Sequence, residues 1–197
     1  MIIGLTGGVA MGKSESAKYF KMFGAYIIDV DKISYDVVDR GMPALNELIN
    51  NLGSDILYFD GTLNRKKLAD IIFSDKKIKL IVEKILHPYI ILKTYEMMKQ
   101  KINQYDNIVI DAPLLFEVGL DKMCYKTVVI WIPYDVQIKR FAYRDKLNVE
   151  QIKRRICSQM SIEKKIELAD FTIDNIGSKR DLKKKIKNLY VLLTSMK

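Results

Sequence analysis

The first apolar run, Met1-Ile2-Ile3-Gly4-Leu5, is short and unbroken, as expected of a parallel strand buried on both faces. From Lys13 to Phe23 the period changes. Ala17, Phe20 and Phe23 fall at helical spacing, and Gly24 supplies a stop. Tyr26-Ile27-Ile28 predicts a second strand ending at Asp29. Residues 64–102 are helical by periodicity, with a break before Pro88, since proline biases the residue before it away from the helical region. Asn107-Ile108-Val109-Ile110 reads as a strand closed by Asp111, Thr127 to Ile132 as another and Phe171-Thr172-Ile173 as the last. Leu182, Ile186, Leu189 and Leu193 recur at spacings of four, three and four and predict an amphipathic helix. Strands alternating with helices imply βαβ units and an α/β fold around a parallel sheet. No internal repeat, low-complexity segment or Pro/Gly/Ser-rich linker interrupts the pattern, so insertions within one core are expected rather than separate domains.

Composition narrows this little. A chain of 197 residues, 49% apolar and 29% charged, can form one large domain or a core with a subdomain. No apolar run approaches the ~18 residues of a membrane helix, and the first strand leaves no room for a secretory signal. A cytoplasmic protein without a membrane partner is expected. Cys124 and Cys157 match neither a metal nor a redox spacing and read as reduced thiols. The net charge of +9 points to acidic partners: nucleic acid, an anionic membrane or a phosphorylated small molecule. Six of the basic residues fall between Lys179 and Lys187 and read as the solvated face of the amphipathic helix. No groove-reading helix or RNA-stacking motif is present, and no nucleic-acid partner is expected.

Charge gains a specific meaning in "GLTGGVAMGKSES", residues 4–16, where Gly7, four residues and Gly12-Lys13-Ser14 satisfy G-x-x-x-x-G-K-[ST] between a strand and a helix. Backbone N–H groups from Gly8 through Ala10, Met11 and Gly12 to Glu15 can curl around ATP phosphates, and a helix N-terminus favours an anion. Lys13 reaches the β- and γ-phosphates, while the Ser14 hydroxyl suits Mg²⁺. Asp111, at the end of a neighbouring strand, is the candidate carboxylate for the metal's water shell; the plain alternative is a polar strand terminus.

The order "IIDVD", "ILHP", "DAPLLFE", "IKRFAYRD", "RRICSQMSIEKKIELADF", "TIDNIGS" closely resembles the dephospho-coenzyme A kinase family over about residues 1–178. The resemblance implies ATP-dependent phosphorylation of the 3′-hydroxyl of dephospho-coenzyme A. It also implies an α/β, P-loop nucleoside-monophosphate-kinase-like parallel sheet core at about 1–30, 105–139 and 166–197. A helical coenzyme A-binding insertion at about 31–104 and a lid at about 140–165 complete the expected domain, as a monomer or weak homo-oligomer. By resemblance Asp31 is the base that accepts the hydroxyl proton, with Asp29 as rival, and Arg140 contacts ATP, with Arg144 in the lid. His87 is placed by the coenzyme A pocket, or marks a helix break with a hydrogen-bonded imidazole. Pro113 and Leu114 lie near the acceptor, or are core. Arg65 and Lys66 pair with acceptor phosphates, or are exposed helix charge. Asn175 touches adenine, or forms a turn, and Arg154 reads as a solvated salt-bridge partner.

Two departures stand out. Val9-Ala10-Met11 replaces smaller residues, which is harmless provided neither Ala10 nor Met11 must adopt a positive φ. Glu15 replaces the usual threonine and brings a negative charge toward the phosphates. The rival readings are another small-molecule or nucleotide P-loop kinase and, further off, a nucleotide-dependent nucleic-acid-binding module.

Overall fold

The computed structural model describes residues 1–146 and 148–196. In chain order the elements are β1 (Ile2–Gly7), α1 (Lys13–Met22), β2 (Tyr26–Asp29), α2 (Val30–Asp36), α3 (Pro43–Leu52), α4 (Arg65–Ser74) and α5 (Lys76–Lys101). There follow β3 (Ile108–Asp111), β4 (Lys126–Trp131), α6 (Tyr134–Asp145), α7 (Val149–Cys157), α8 (Ile162–Leu168), β5 (Phe171–Asp174) and α9 (Lys179–Ser195).

The five strands are all parallel, in the order β2-β3-β1-β4-β5. β1 is central, and its unbroken apolar run follows from burial on both faces. On one face Ile3, Leu5, Val128 and Ile130 pack with Ala17 and Phe20 of α1 and with Leu182, Ile186, Leu189 and Leu193 of α9. All four predicted apolar positions of the last helix are buried, and Lys183, Lys184 and Lys187 are exposed. Gly24, at φ 102, ends α1 as expected, while Phe23 is only half-buried at the core's edge.

The chain passes to β3 on one side of β1 and to β4 on the other. The loop after β1 therefore opens at a topological switch point, where open parallel sheets take their ligands. Register pairs Leu5 with Asp111 and Asp29 with Asp111, so both carboxylates lie at the sheet's carboxyl edge.

Residues 1–29 and 98–197 form one compact unit and Val30–Met97 a second. The second holds α2 to α4 and most of α5, with Ile33, Leu45, Leu48 and Ile56 among its buried residues. The segment 140–165 comprises the end of α6, α7 and the start of α8 and belongs to the first unit; Leu147 within it lies outside the described residues.

The expected break before Pro88 does not occur. α5 runs through it, and the helical region divides instead at Asp75, between α4 and α5. An interior proline costs a helix about 3 kcal/mol, but with helix already propagated on both sides over 26 residues no new nucleus is needed. Cys124 and Cys157 are free thiols, and burial pushes the Cys124 thiol up to about 12.

Candidate functional site

The loop between β1 and α1 is built by backbone conformation. Gly12 caps α1 at φ 96, and a Cβ there would stand 2.1 Å from Asn175 Nδ2, so glycine is required both by conformation and by space. At Gly7 the closeness is to β4: a Cβ would lie 2.5 Å from the Ile130 carbonyl oxygen. Ala10 adopts φ 61, which overturns the expectation that the Val9-Ala10-Met11 departure is harmless. An L-residue there costs about 1–2 kcal/mol. Met11, at 1% exposure, turns its side chain inward against Gly8. Its N–H donates to the Gly8 carbonyl.

Two side-chain amides hold this loop from a distance in sequence. Gln137 of α6 donates from Nε2 to the Val9 carbonyl at 2.8 Å, and Asn175, just past β5, donates from Nδ2 to the Met11 carbonyl at 2.9 Å. Asn175, expected to contact adenine or form a turn, is thus engaged with the loop itself. Gln137 was not singled out in the sequence. Its available signal was a polar residue four positions from buried Phe141 on a helical face.

Lys13 opens α1, and its Nζ lies 2.5 Å from Asp111 Oδ1. The two residues read separately as phosphate and metal ligands therefore form an ion pair at the sheet edge. Ser14 follows with its side chain exposed. Glu15 does not project an uncompensated charge. The Tyr19 hydroxyl donates to Oε1 at 3.0 Å, and Lys18 and Lys179 lie 3.7 and 3.6 Å away. The Tyr19 hydrogen bond leads in holding the Glu15 carboxyl below its usual range, and both lysines reinforce it.

A second missed cluster lies beyond Asp111. Pro113 and Leu114 are half-buried in the turns after β3. The Pro113 carbonyl accepts from Thr6 Oγ1 at 3.1 Å and from Lys165 Nζ at 2.5 Å. Lys165, on α8, is 0% exposed and pairs with Glu117 Oε1 at 2.9 Å, which also accepts the Met160 N–H at 3.0 Å. Burial pulls the Lys165 pKa down, Glu117 opposes this, and the positive charge of Lys13 adds to it. Glu117 Oε2 is buried with no partner among the described residues. The motifs "DAPLLFE" and "SIEKKIELADF" contain these residues, but periodicity cannot tell buried Lys165 from exposed Lys164 beside it.

Arg140 is half-exposed on α6, and its side chain makes no ion pair or hydrogen bond among the described residues. Arg144 and Arg155 both meet Asp145, Nε at 2.6 Å and Nη1 at 3.6 Å, and the Arg144 hydrogen bond leads in lowering the Asp145 pKa. Arg154 pairs with Glu150 in solvent, as its reading anticipated.

In the second unit Asp31 lies in the first turn of α2, exposed, two residues beyond the end of β2; Asp29, in the first unit, is also exposed. Arg65 is docked on α2: it donates to the Tyr35 carbonyl at 3.0 Å, stacks 4.1 Å from the Tyr35 ring centroid and lies 3.9 Å from Asp39. Lys66 is exposed. His87 is half-buried on α5, where burial lowers its pKa against a smaller opposing effect of Glu83.

The family model described as dephospho-CoA kinase matches residues 1–181. A dephospho-CoA kinase of Fusobacterium nucleatum is 40% identical over 186 residues, covering 94% of this chain and 95% of its own. One from Bacillus licheniformis is 35% identical over 197 residues, covering 96% and 94%. The solved dephospho-CoA kinase of Campylobacter jejuni is 30% identical and superposes with a TM-score of 0.73, covering 98% of this chain and 97% of that one.

Proposed function

The chain belongs to the dephospho-CoA kinase family, using ATP to phosphorylate dephospho-coenzyme A in coenzyme A synthesis, and we propose how its residues divide that work. The observation that carries the proposal is the glycine loop after the central strand, with Lys13 held beside Asp111 at the sheet's carboxyl edge. Backbone N–H groups of the loop and the α1 N-terminus bind the phosphates. Lys13 meets the β- and γ-phosphates, and the guanidinium of Arg140 takes up charge that spreads over the transferring phosphoryl.

Ser14 and Asp111 offer a hydroxyl and a carboxylate, the hard oxygen donors that Mg²⁺ prefers when it arrives with a nucleotide. No cluster of three or more metal-ligating His, Cys, Asp or Glu side chains exists among the described residues, which fits an ion carried in with its substrate. When bound, Mg²⁺ supplies charge neutralisation on the phosphates.

Asp31 orients the 3′-hydroxyl and accepts its proton as the new O–P bond forms and the β–γ bridging bond breaks, with ADP as leaving group. A carboxylate, though a weak base, can serve here because in a loose phosphoryl transfer positioning and charge dominate. Pro113 and Leu114, half-buried just past Asp111, are the acceptor-contact residues of the first unit, and Arg65 and His87 are those of the second. Asp31→Asn lowers kcat about 10²-fold or more with little change in ATP affinity, while Asp29→Asn does less. The reverse ranking, in variants that melt like the parent, assigns the role to Asp29.

A further inference from the structure

We propose that Gln137 and Asn175 are positioning residues that aim the N–H groups of the phosphate loop, with Asn175 acting on the loop rather than on the nucleotide base. In a trans peptide the N–H points opposite to the C=O across the same plane, and the described chain contains no cis peptide bond. The Val9 carbonyl shares its peptide with the Ala10 N–H, and the Met11 carbonyl shares its peptide with the Gly12 N–H. By holding the Val9 oxygen at 2.8 Å and the Met11 oxygen at 2.9 Å, the two amides set the direction of two successive alternate N–H donors. Both amides are buried, at 2% and 9% exposure; the Asn175–Met11 bond is buried as well, while the Gln137–Val9 bond is part-buried beside half-buried Val9.

The geometry links this to the loop's two left-handed residues. Ala10 at φ 61 and Gly12 at φ 96 are the residues whose N–H groups these bonds orient. An alanine at positive φ persists only where its surroundings over-determine it, and Gln137 supplies that constraint on the preceding carbonyl. Asn175 Nδ2 rests where a Gly12 Cβ would be, so the amide is fitted to the backbone of this one residue. Gln137 follows β4 and Asn175 follows β5, so both clamps come from the β4–β5 side of β1.

The inference rests on the loop's being the nucleotide site. The test measures calorimetric affinities of the full chain for ATP and for inorganic tripolyphosphate, which has no base, both with Mg²⁺. Variants are Gln137→Met, Gln137→Glu, Asn175→Ala and Asn175→Asp; the Glu and Asp forms keep size but replace the donor with an acceptor. Loss of either clamp weakens ATP and tripolyphosphate by the same factor, about tenfold, the loss of one buried hydrogen bond. The KM for dephospho-coenzyme A stays unchanged, which general loosening of the fold would not allow. Loss of ATP affinity alone in the Asn175 variants makes Asn175 a base contact and overturns the proposal for it. Variants that bind both ligands like the parent, or that change the acceptor KM equally, overturn it for both residues. A parent chain that binds neither ligand removes the nucleotide site and the proposal with it.

Discussion

Replacing Glu117 by glutamine tests whether the buried cation on α8 is held by its counter-charge. Lys165 Nζ has two acceptors, Glu117 Oε1 at 2.9 Å and the Pro113 carbonyl at 2.5 Å, and its side chain is fully buried. Removing one member of a buried pair costs about 3–5 kcal/mol, because the other charge is left uncompensated. The glutamine carbonyl can still accept from Met160 and Lys165, which places the expected loss near the lower end, about 3 kcal/mol. For a chain of this length that corresponds to a fall in Tm of about 6–12 °C. Urea unfolding at pH 7 measures it directly, with an unchanged m-value as evidence that only stability has moved. The Lys165 pKa is already depressed by burial, so the unfolded chain binds its proton more readily than the folded one. Loss of Glu117 depresses it further, so the variant's deficit shrinks as pH rises toward the unfolded lysine value of about 10.4. A double variant, Glu117→Leu with Lys165→Met, recovers part of the loss. A loss below about 0.5 kcal/mol in Glu117→Gln, or a deficit that grows with pH, refutes the pairing argument.

Two further outcomes follow from residues whose surroundings differ from first expectation. Glu15→Thr changes ATP affinity less than about threefold by calorimetry, because Tyr19, Lys18 and Lys179 already offset the carboxylate's charge; a tenfold gain shows that the charge does repel the phosphates. His87 is the single histidine and its pKa is lowered by burial, so its neutral form contributes stability that is present above about pH 6.5 and lost as pH falls below it. His87→Gln flattens the stability profile below about pH 6.5, and an unchanged slope assigns that titration to other groups.

Much of the sheet and one end of the site were legible because they depend on local pattern. β1, β3 and β4 show as apolar runs because these inner parallel strands are buried on both faces, the edge strands β2 and β5 show as shorter runs with half-buried or exposed positions, and the phosphate loop shows because its chemistry needs glycines, a lysine and a serine at fixed spacing. The four buried leucine and isoleucine positions of α9 follow directly from a 3.6-residue period. What stayed hidden depends on partners far along the chain. Gln137 and Asn175 are 128 and 164 positions from the carbonyls they hold, and Lys165 pairs with a carboxylate across 48 positions (165 − 117). Pro88 misled because a local rule about proline yields to a helix long enough on both sides to carry it. The positive φ of Ala10 had no sequence signal, since alanine neither requires nor prefers it.

The most direct test of the central claim is product analysis with the intact chain, ATP, Mg²⁺ and dephospho-coenzyme A, separated by chromatography and identified by mass. Coenzyme A and ADP appear in equal amounts, the new phosphate sits on the 3′-hydroxyl, and Lys13→Ala forms neither product while remaining folded at the assay temperature, although it melts lower than the parent because Asp111 loses its Lys13 partner. ADP without coenzyme A, or transfer to a different acceptor in preference to dephospho-coenzyme A, contradicts the account.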